Sequence, residues 1–319
     1  MEKRFYYGGQ AVVEGVMMRG QRTLVTAVRR PGGGLAIDVR TLSGIYASRL
    51  RKMPLIRGVI VLIESLVLGI KALFYSTNIS LEEEEEEISG GMIWLIMLAA
   101  IVFAVALFFI APLFLTKLFK IESTILFNLV DGAIRVAILI SYLRLMSLIP
   151  DIRRTFSYHG AEHTVVNAYE AGAALETESV KEYGKANVRC GTSFIFMVLI
   201  ISIFVFALIG LHSTWMMALS RVVLIPVIAA ISYEAIYFGN RHSSNAFFRV
   251  ILTPGLWLQS LTTRVPDDGQ LDVALAALRR VVEIEQPEEV TWQIEEEAEP
   301  EEEAEEASPP DDSPASPLP

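Results

Sequence analysis

Long apolar runs separated by short polar blocks organise this chain of 319 residues. Met92–Thr116 is an uncharged run, long enough to cross the roughly 30 Å hydrocarbon core of a bilayer as a helix. Thr124–Ile149 predicts a second span. Its Asp131 and Arg135 are four apart and can pair on one face toward the protein interior, while Arg144 is close enough to the end to reach the interface. Ser193–Leu211 and Trp215–Phe238 predict a third and a fourth span, the last with Arg221 near its outer end. Residues 54–75 are apolar too, but Arg57, Glu64 and Lys71 make them an interfacial or re-entrant helix rather than a span. Residues 249–261, with Pro254-Gly255, are too short to cross and read as interfacial. Leu271, Leu275, Leu278 and Val282 recur at spacings of three and four, which predicts an amphipathic helix over Asp267–Val282.

The N-terminal region has a different pattern. Thr23–Arg30 and Leu35–Leu42 read as strands joined by Pro31-Gly32-Gly33-Gly34, a strong hairpin signal. Gly8–Gly20 reads as a short apolar segment between glycine turns. No Gly-Lys-Ser/Thr follows those glycines, which argues against a phosphate-cradling loop. The expected architecture is a mainly α, polytopic membrane protein with about four spans, one interfacial or re-entrant helix, a small β-hairpin element and a disordered acidic tail. The divisions are a basic glycine-rich region (1–52), the interfacial helix (53–78), an acidic linker (79–91) and a membrane domain (92–248). An interfacial segment with the amphipathic helix (249–282) and the tail (283–319) complete the chain.

Composition sharpens this picture. The chain is 52% hydrophobic with a mean hydropathy of +0.44, too apolar for an ordinary soluble domain. The net charge of −10 is unevenly placed. From Glu283 onward there are fifteen acidic and no basic residues; without them the net charge is +5, and without Glu82–Glu87 as well it is +11. A basic body suits the anionic inner face of a bilayer, the expected partner together with a possible second membrane protein; no nucleic-acid partner is expected. The single cysteine, Cys190, excludes an internal disulfide. Met1–Tyr7 lacks the apolar core of a signal peptide. If 54–75 does not cross, four spans put both termini and the basic 150–192 block on the cytoplasmic side of the inner membrane, as the positive-inside rule requires.

That 150–192 block carries the candidate chemistry. His159 and His163 are four apart, so on a helix they project from one face, with Glu162 beside them. The order His-x-x-Glu-His is the inverted form of the zinc-protease motif. Two imidazoles a turn apart can hold a divalent ion, zinc by ligand type, and Glu162 can act as general base beside it. Three residues are candidates for the third ligand. Glu234, 71 residues after His163, matches the distant downstream glutamate of inverted-motif metallopeptidases; Glu170 is the local alternative, on the same helix face. Cys190 could ligate as a thiolate, but reads better as a small packed thiol at a helix start. His242 falls on the same side of the membrane. A salt bridge to Arg241 or Arg135 is the bland account of Glu234. If Glu234 and Glu170 both turn away from the histidines, the metal reading gives way.

Several separated segments resemble the YqhQ-like family of uncharacterised bacterial membrane proteins, often labelled predicted metal-dependent enzymes. They are Gly8–Gly20, Tyr158–His163, Arg189–Ser193, Ile231–Glu234, Pro254–Gln259 and Thr262–Asp268. The resemblance runs from about residue 5 to 282. It implies a metal-dependent activity, with one departure: members usually read His-Pro-Arg-Cys-Gly-Thr where this chain reads Asn187-Val188-Arg189-Cys190-Gly191-Thr192, so a family histidine is missing at Asn187. Two functions follow. One is a membrane-embedded metal-dependent hydrolase; the other is a non-enzymatic scaffold or assembly factor whose polar block docks a partner.

Overall fold

The computed structural model describes residues 7–42, 53–82, 90–210, 213–241 and 245–287. Most of the acidic linker, His242 and all but the start of the tail lie outside them.

The N-terminal strands form one antiparallel sheet in chain order: β1 (Gly8–Val12), β2 (Gly15–Arg19), β3 (Thr23–Arg29) and β4 (Leu35–Thr41). The β3–β4 hairpin matches the expected one to within a residue at each end, and its loop bends through Gly33 and Gly34 at positive φ. Gly8–Gly20 departs from the expectation, because it is itself a hairpin. Val12 pairs with Gly15, so Val13-Glu14 forms the two-residue turn, with Glu14 at φ 50°. Neither residue belongs to the usual chemistry of such turns. Glu14 is held from outside instead: its carboxylate takes both arms of Arg154, and its carbonyl accepts from the Arg29 N–H at 2.8 Å.

The helices follow as α1 (Ile56–Ser80), α2 (Gly90–Val105), α3 (Ala111–Lys117), α4 (Thr124–Met146) and α5 (Pro150–Ala171). Then come α6 (Thr177–Val180), α7 (Gly191–Ile209), α8 (Thr214–Val223), α9 (Ile225–Arg241), α10 (Ala246–Gln259) and α11 (Asp268–Glu285). A π-helical turn, Ala106–Ile110, joins α2 to α3 just before Pro112. By length and composition α1, Trp94–Lys117, α4 and α7 can each cross a membrane, and α8 with α9 can do so as one broken span. The expected straight span over Trp215–Phe238 is therefore bent, by 49°. Pro226, second in α9, removes the N–H that would have bridged the break.

Helix α1 differs from its expected description in being long and apolar enough to cross. Yet one face of its second half lies on the sheet. Leu68 and Ala72 pack with Val12, Met17, Leu24 and Val28; Ser76 Oγ accepts from the Val13 N–H at 3.2 Å; Glu64 is buried against Arg19. Ile63, Leu66, Val67 and Leu73 face outward. Sheet, α5 and α11 share the main core, in which Val16, Met18 and Val25 meet Tyr158, Ala161, Val165, Leu275 and Leu278. The α11 helix starts at a capping box made by Asp267 and Gln270. Between the membrane-length helices, Asp131 pairs with Arg135 at 2.6 Å as expected, but Arg221 does not reach outward: it is 2% exposed and joins Asp131 at 3.0 Å.

Candidate metal centre

Helix α5 is polar in sequence, yet Tyr158 and Gly160–Val166 are buried. The helix starts at Pro150, whose fixed φ suits a first turn, and stops at Gly172 with φ 79°. In between it is enclosed by the sheet, by α11 and by the loops at 185–190 and 259–264. Gly160 makes the last of these contacts. A Cβ there would overlap the Arg264 carbonyl oxygen, and Arg264 N–H donates to the Phe156 carbonyl at 2.9 Å. A glycine between the two histidines thus lets the 262–264 loop lie directly on the helix.

That loop and its neighbour orient both imidazoles. His159 Nδ1 lies 2.9 Å from the Thr262 carbonyl and His163 Nδ1 lies 2.7 Å from the Lys185 carbonyl. A carbonyl only accepts, so each Nδ1 carries a proton and each Nε2 is turned to the other side. His159 Nε2 meets Cys190 Sγ at 3.2 Å, and His163 Nε2 meets Glu162 Oε2 at 3.3 Å. The rings pack edge-on with centroids 4.4 Å apart. One ligand atom from each of His159, His163 and Cys190 falls within 4.8 Å of the other two. Tetrahedral zinc ligands of these types sit about 3.3–3.8 Å apart, so a small contraction would let the three share an ion.

Burial and mutual contacts set the electrostatics of the cluster. Burial pushes the Glu162 carboxyl up, against the pull of the two imidazoles and a bond from the Gly9 N–H. Burial alone would push the Cys190 thiol up as well, but its bonds to His159 and His163 prevail and bring it to about 4. For His159 burial opposes the charged ring, and the bond to Cys190 with the nearby Glu162 charge raises it to about 9. In effect one proton is shared between Cys190 Sγ and His159 Nε2, while His163 Nε2 lies against the Glu162 carboxyl. A proton or a metal ion must lie between such groups.

The carboxylates expected as third ligand are elsewhere. Glu234 is gripped by the guanidinium of Arg57 (Nε to Oε1 2.8 Å) and accepts from the Leu55 N–H at 3.0 Å; Glu170 is paired with Arg189. By the criterion set from the sequence, the metal reading as expected there gives way to the scaffold, because an arginine holds each candidate carboxylate away from the histidines; a site closed by Cys190 is a different one, raised by the structure. Cys190, read from the sequence as packing, is the side chain that meets the histidines instead. It is held at the N-cap of α7, where Sγ also accepts from the Thr192 N–H. Asn187 holds the approach to it: Gln259 clamps its backbone at both N–H (3.0 Å) and carbonyl (2.8 Å), and its Oδ1 accepts from the Arg189 N–H. These clamps went unseen because backbone carbonyls and buried amides leave no mark in a motif; an isolated Cys in a polar block was the available signal.

Residues 53–284 match the family model described as "Protein of unknown function (DUF1385)". The chain is also 34% identical over 299 residues to "Uncharacterized protein YqhQ" of Bacillus subtilis (strain 168), spanning 88% of this chain and 93% of that one. The chain belongs to this family. No solved structure matches it. Every member of the His–Glu–His–Cys cluster lies inside the DUF1385 match, whereas the sheet that covers Glu162 through Gly9 precedes it.

Proposed function

We propose that the protein is a membrane-embedded, metal-dependent hydrolase. A divalent ion, zinc by ligand type, would be held by His159, His163 and Cys190, with Glu162 as the proton-transfer group. The observation that carries this reading is the convergence of three lone-pair donors whose orientation is already set from behind by backbone carbonyls. Three protein ligands beside a carboxyl that is not among them would fit a catalytic rather than a structural zinc site. The ion, when bound, supplies Lewis-acid activation and a nucleophile near neutral pH. The chain's own groups do the rest: the Thr262 and Lys185 carbonyls hold the rings, the Gly9 N–H steadies Glu162, and its raised pKa suits a carboxyl that takes up and returns a proton. Elemental analysis of the purified full chain tests it. About one zinc per chain is expected, lost in His163→Ala and Cys190→Ala and retained in Glu162→Gln. A chain that neither carries nor takes up metal sinks the reading and leaves the scaffold.

A second reading rests on the 3.2 Å contact between Cys190 and His159, since a thiolate beside an imidazolium is a nucleophile without any ion. Alkylation separates the two: iodoacetamide should modify Cys190 only after chelation if the thiolate is a ligand, and readily without chelation if it is a free nucleophile. In either case the reading puts this end of the helices on the cytoplasmic side of the inner membrane, because Arg144, Arg153, Arg264 and Lys185 gather there. A cysteine introduced at Ser179 should resist impermeant labelling in intact cells; labelling would reverse the topology.

A further inference from the structure

Where α4 hands over to α5, the surface opens into a groove of about 850 Å³. Arg144, Arg153, Arg154, Lys185 and Arg264 line it, with Asp267 as its acidic residue. Not all of these charges are available. Arg154 is taken up by Glu14, Lys185 Nζ donates to the Thr263 carbonyl at 2.9 Å, and Asp267 caps α11. Arg144, Arg153 and Arg264 are exposed and have no ion-pair partner among the described residues. Helix α5, 22 residues long, begins at Pro150 on the same groove, and its N-cap Ile149 gives the first turn no side-chain bond. The uncapped N–H groups and the helix dipole add to the positive potential of the three arginines, offset in part by Asp151 in the same first turn.

The rim of the groove has the opposite character. Leu145, Leu148, Ile149 and Val265 are exposed, Leu148 at 68% and Val265 at 80%. Leu145 and Leu148 flank the end of α4 at Met146, and α4 is long and apolar enough to cross a membrane, so this rim stands where the hydrocarbon ends. Unpaired guanidiniums at headgroup depth, bordered by outward-facing leucine and valine, match one chemistry: a phosphate ester joined to acyl chains. Free phosphate would satisfy the arginines and leave the apolar rim without a partner. We infer that the groove binds an anionic phospholipid, its phosphate on Arg144, Arg153 and Arg264 and its chains along Leu148 and Val265. The inference stands apart from the metal reading, since it uses none of the cluster side chains.

The test uses the full chain in detergent with equimolar phosphatidylglycerol and phosphatidylcholine, and retained lipid counted by native mass spectrometry. The wild type should keep a phosphatidylglycerol adduct in preference to phosphatidylcholine. Arg153→Ala/Arg264→Ala should lower that preference about tenfold. Leu148→Ser should weaken retention while leaving the arginines in place, and Arg144→Gln gives a single-site variant should the double one fold poorly. Inorganic phosphate in excess should fail to displace the lipid. Equal preference in the wild type and the arginine variants overturns the inference. So does displacement by inorganic phosphate that Leu148→Ser leaves unaltered, which would mark a free-anion site.

Discussion

Asp131, Arg135 and Arg221 lie buried between membrane-length helices; Glu162, His163 and Cys190 lie buried, with His159 half-buried among them, where α5 meets the start of α7. Both clusters bring polar side chains together out of water, but from opposite inventories. In the first, two guanidiniums meet one carboxylate, with Ser202 Oγ accepting from Arg135 at 2.9 Å and the ring of Phe206 lying 4.6 Å from Arg221 and 5.0 Å from Arg135. Fixed charges of opposite sign find each other, and aromatic faces take up the excess. In the second cluster there is no fixed cation at all. Two imidazoles, a thiol and a carboxyl face one another, and every group can change its protonation. With Asp131 Oδ1, Arg135 Nε, and Arg221 Nε and Nη2 buried without a hydrogen bond the ion network is incompletely satisfied, but it supplies its own counter-charge. A buried set of lone pairs does not, and it is there that a ligand is expected.

Breaking the first cluster should give the largest effect. Asp131→Ala leaves two buried guanidiniums with no counter-charge, and the expected loss is roughly 3–5 kcal/mol of stability, read as melting temperature in detergent. Arg221→Met should cost much less, because it removes the excess charge and leaves the Asp131–Arg135 pair intact. Equal losses in the two variants would mean that both arginines are needed for the balance, and the contrast drawn here would be wrong.

Chelation should act on the second cluster alone. An ion present at a hundred times its dissociation constant adds about 2.7 kcal/mol to stability. Stripping it should therefore lower the melting temperature of the wild type, and of Asp131→Ala by the same increment, yet leave Cys190→Ala unmoved. A wild type indifferent to chelators would remove the ground for treating the two clusters differently.

Much of this contrast was legible in sequence, but unevenly. The Asp131–Arg135 pair followed from spacing, because both partners lie on one helix. Arg221 did not, because its partner is 90 positions away on another helix and nothing local distinguishes a buried arginine from one reaching for the interface. The histidine pair likewise followed from spacing, whereas its third partner was ranked last. Glu234 and Glu170 looked like better ligands until Arg57 and Arg189 were seen to hold them. The helices around 92–116 and 193–211 were readable from uninterrupted apolar runs, whereas α1, with three charges, was read as interfacial although it is long and apolar enough to cross. The β1–β2 turn was not, since Val13-Glu14 lacks the glycine or asparagine that usually marks one and depends on Arg154 from α5. Local rules carried local features, and each miss needed a contact from far along the chain.

The smallest expected effect on stability concerns Gly160, and it separates backbone fit from ligand loss. Gly160→Ala puts a methyl against the Arg264 carbonyl oxygen, which is backbone and cannot swing aside. The 262–264 loop must shift, and with it the Thr262 carbonyl that fixes His159 and the Thr263 carbonyl that receives Lys185. The expected destabilisation is about 1–3 kcal/mol, together with a weaker hold on metal although all four cluster side chains remain. Gly172→Ala is the control. It strains the helix end, where φ is 79°, for about 1 kcal/mol, but a Cβ there meets nothing and no cluster residue should move. The two variants are thus comparable in stability and opposite in metal retention. If Gly160→Ala binds metal as the wild type does, the carbonyls behind the imidazoles are not what orients them, and the second cluster is less finely set than its hydrogen bonds suggest.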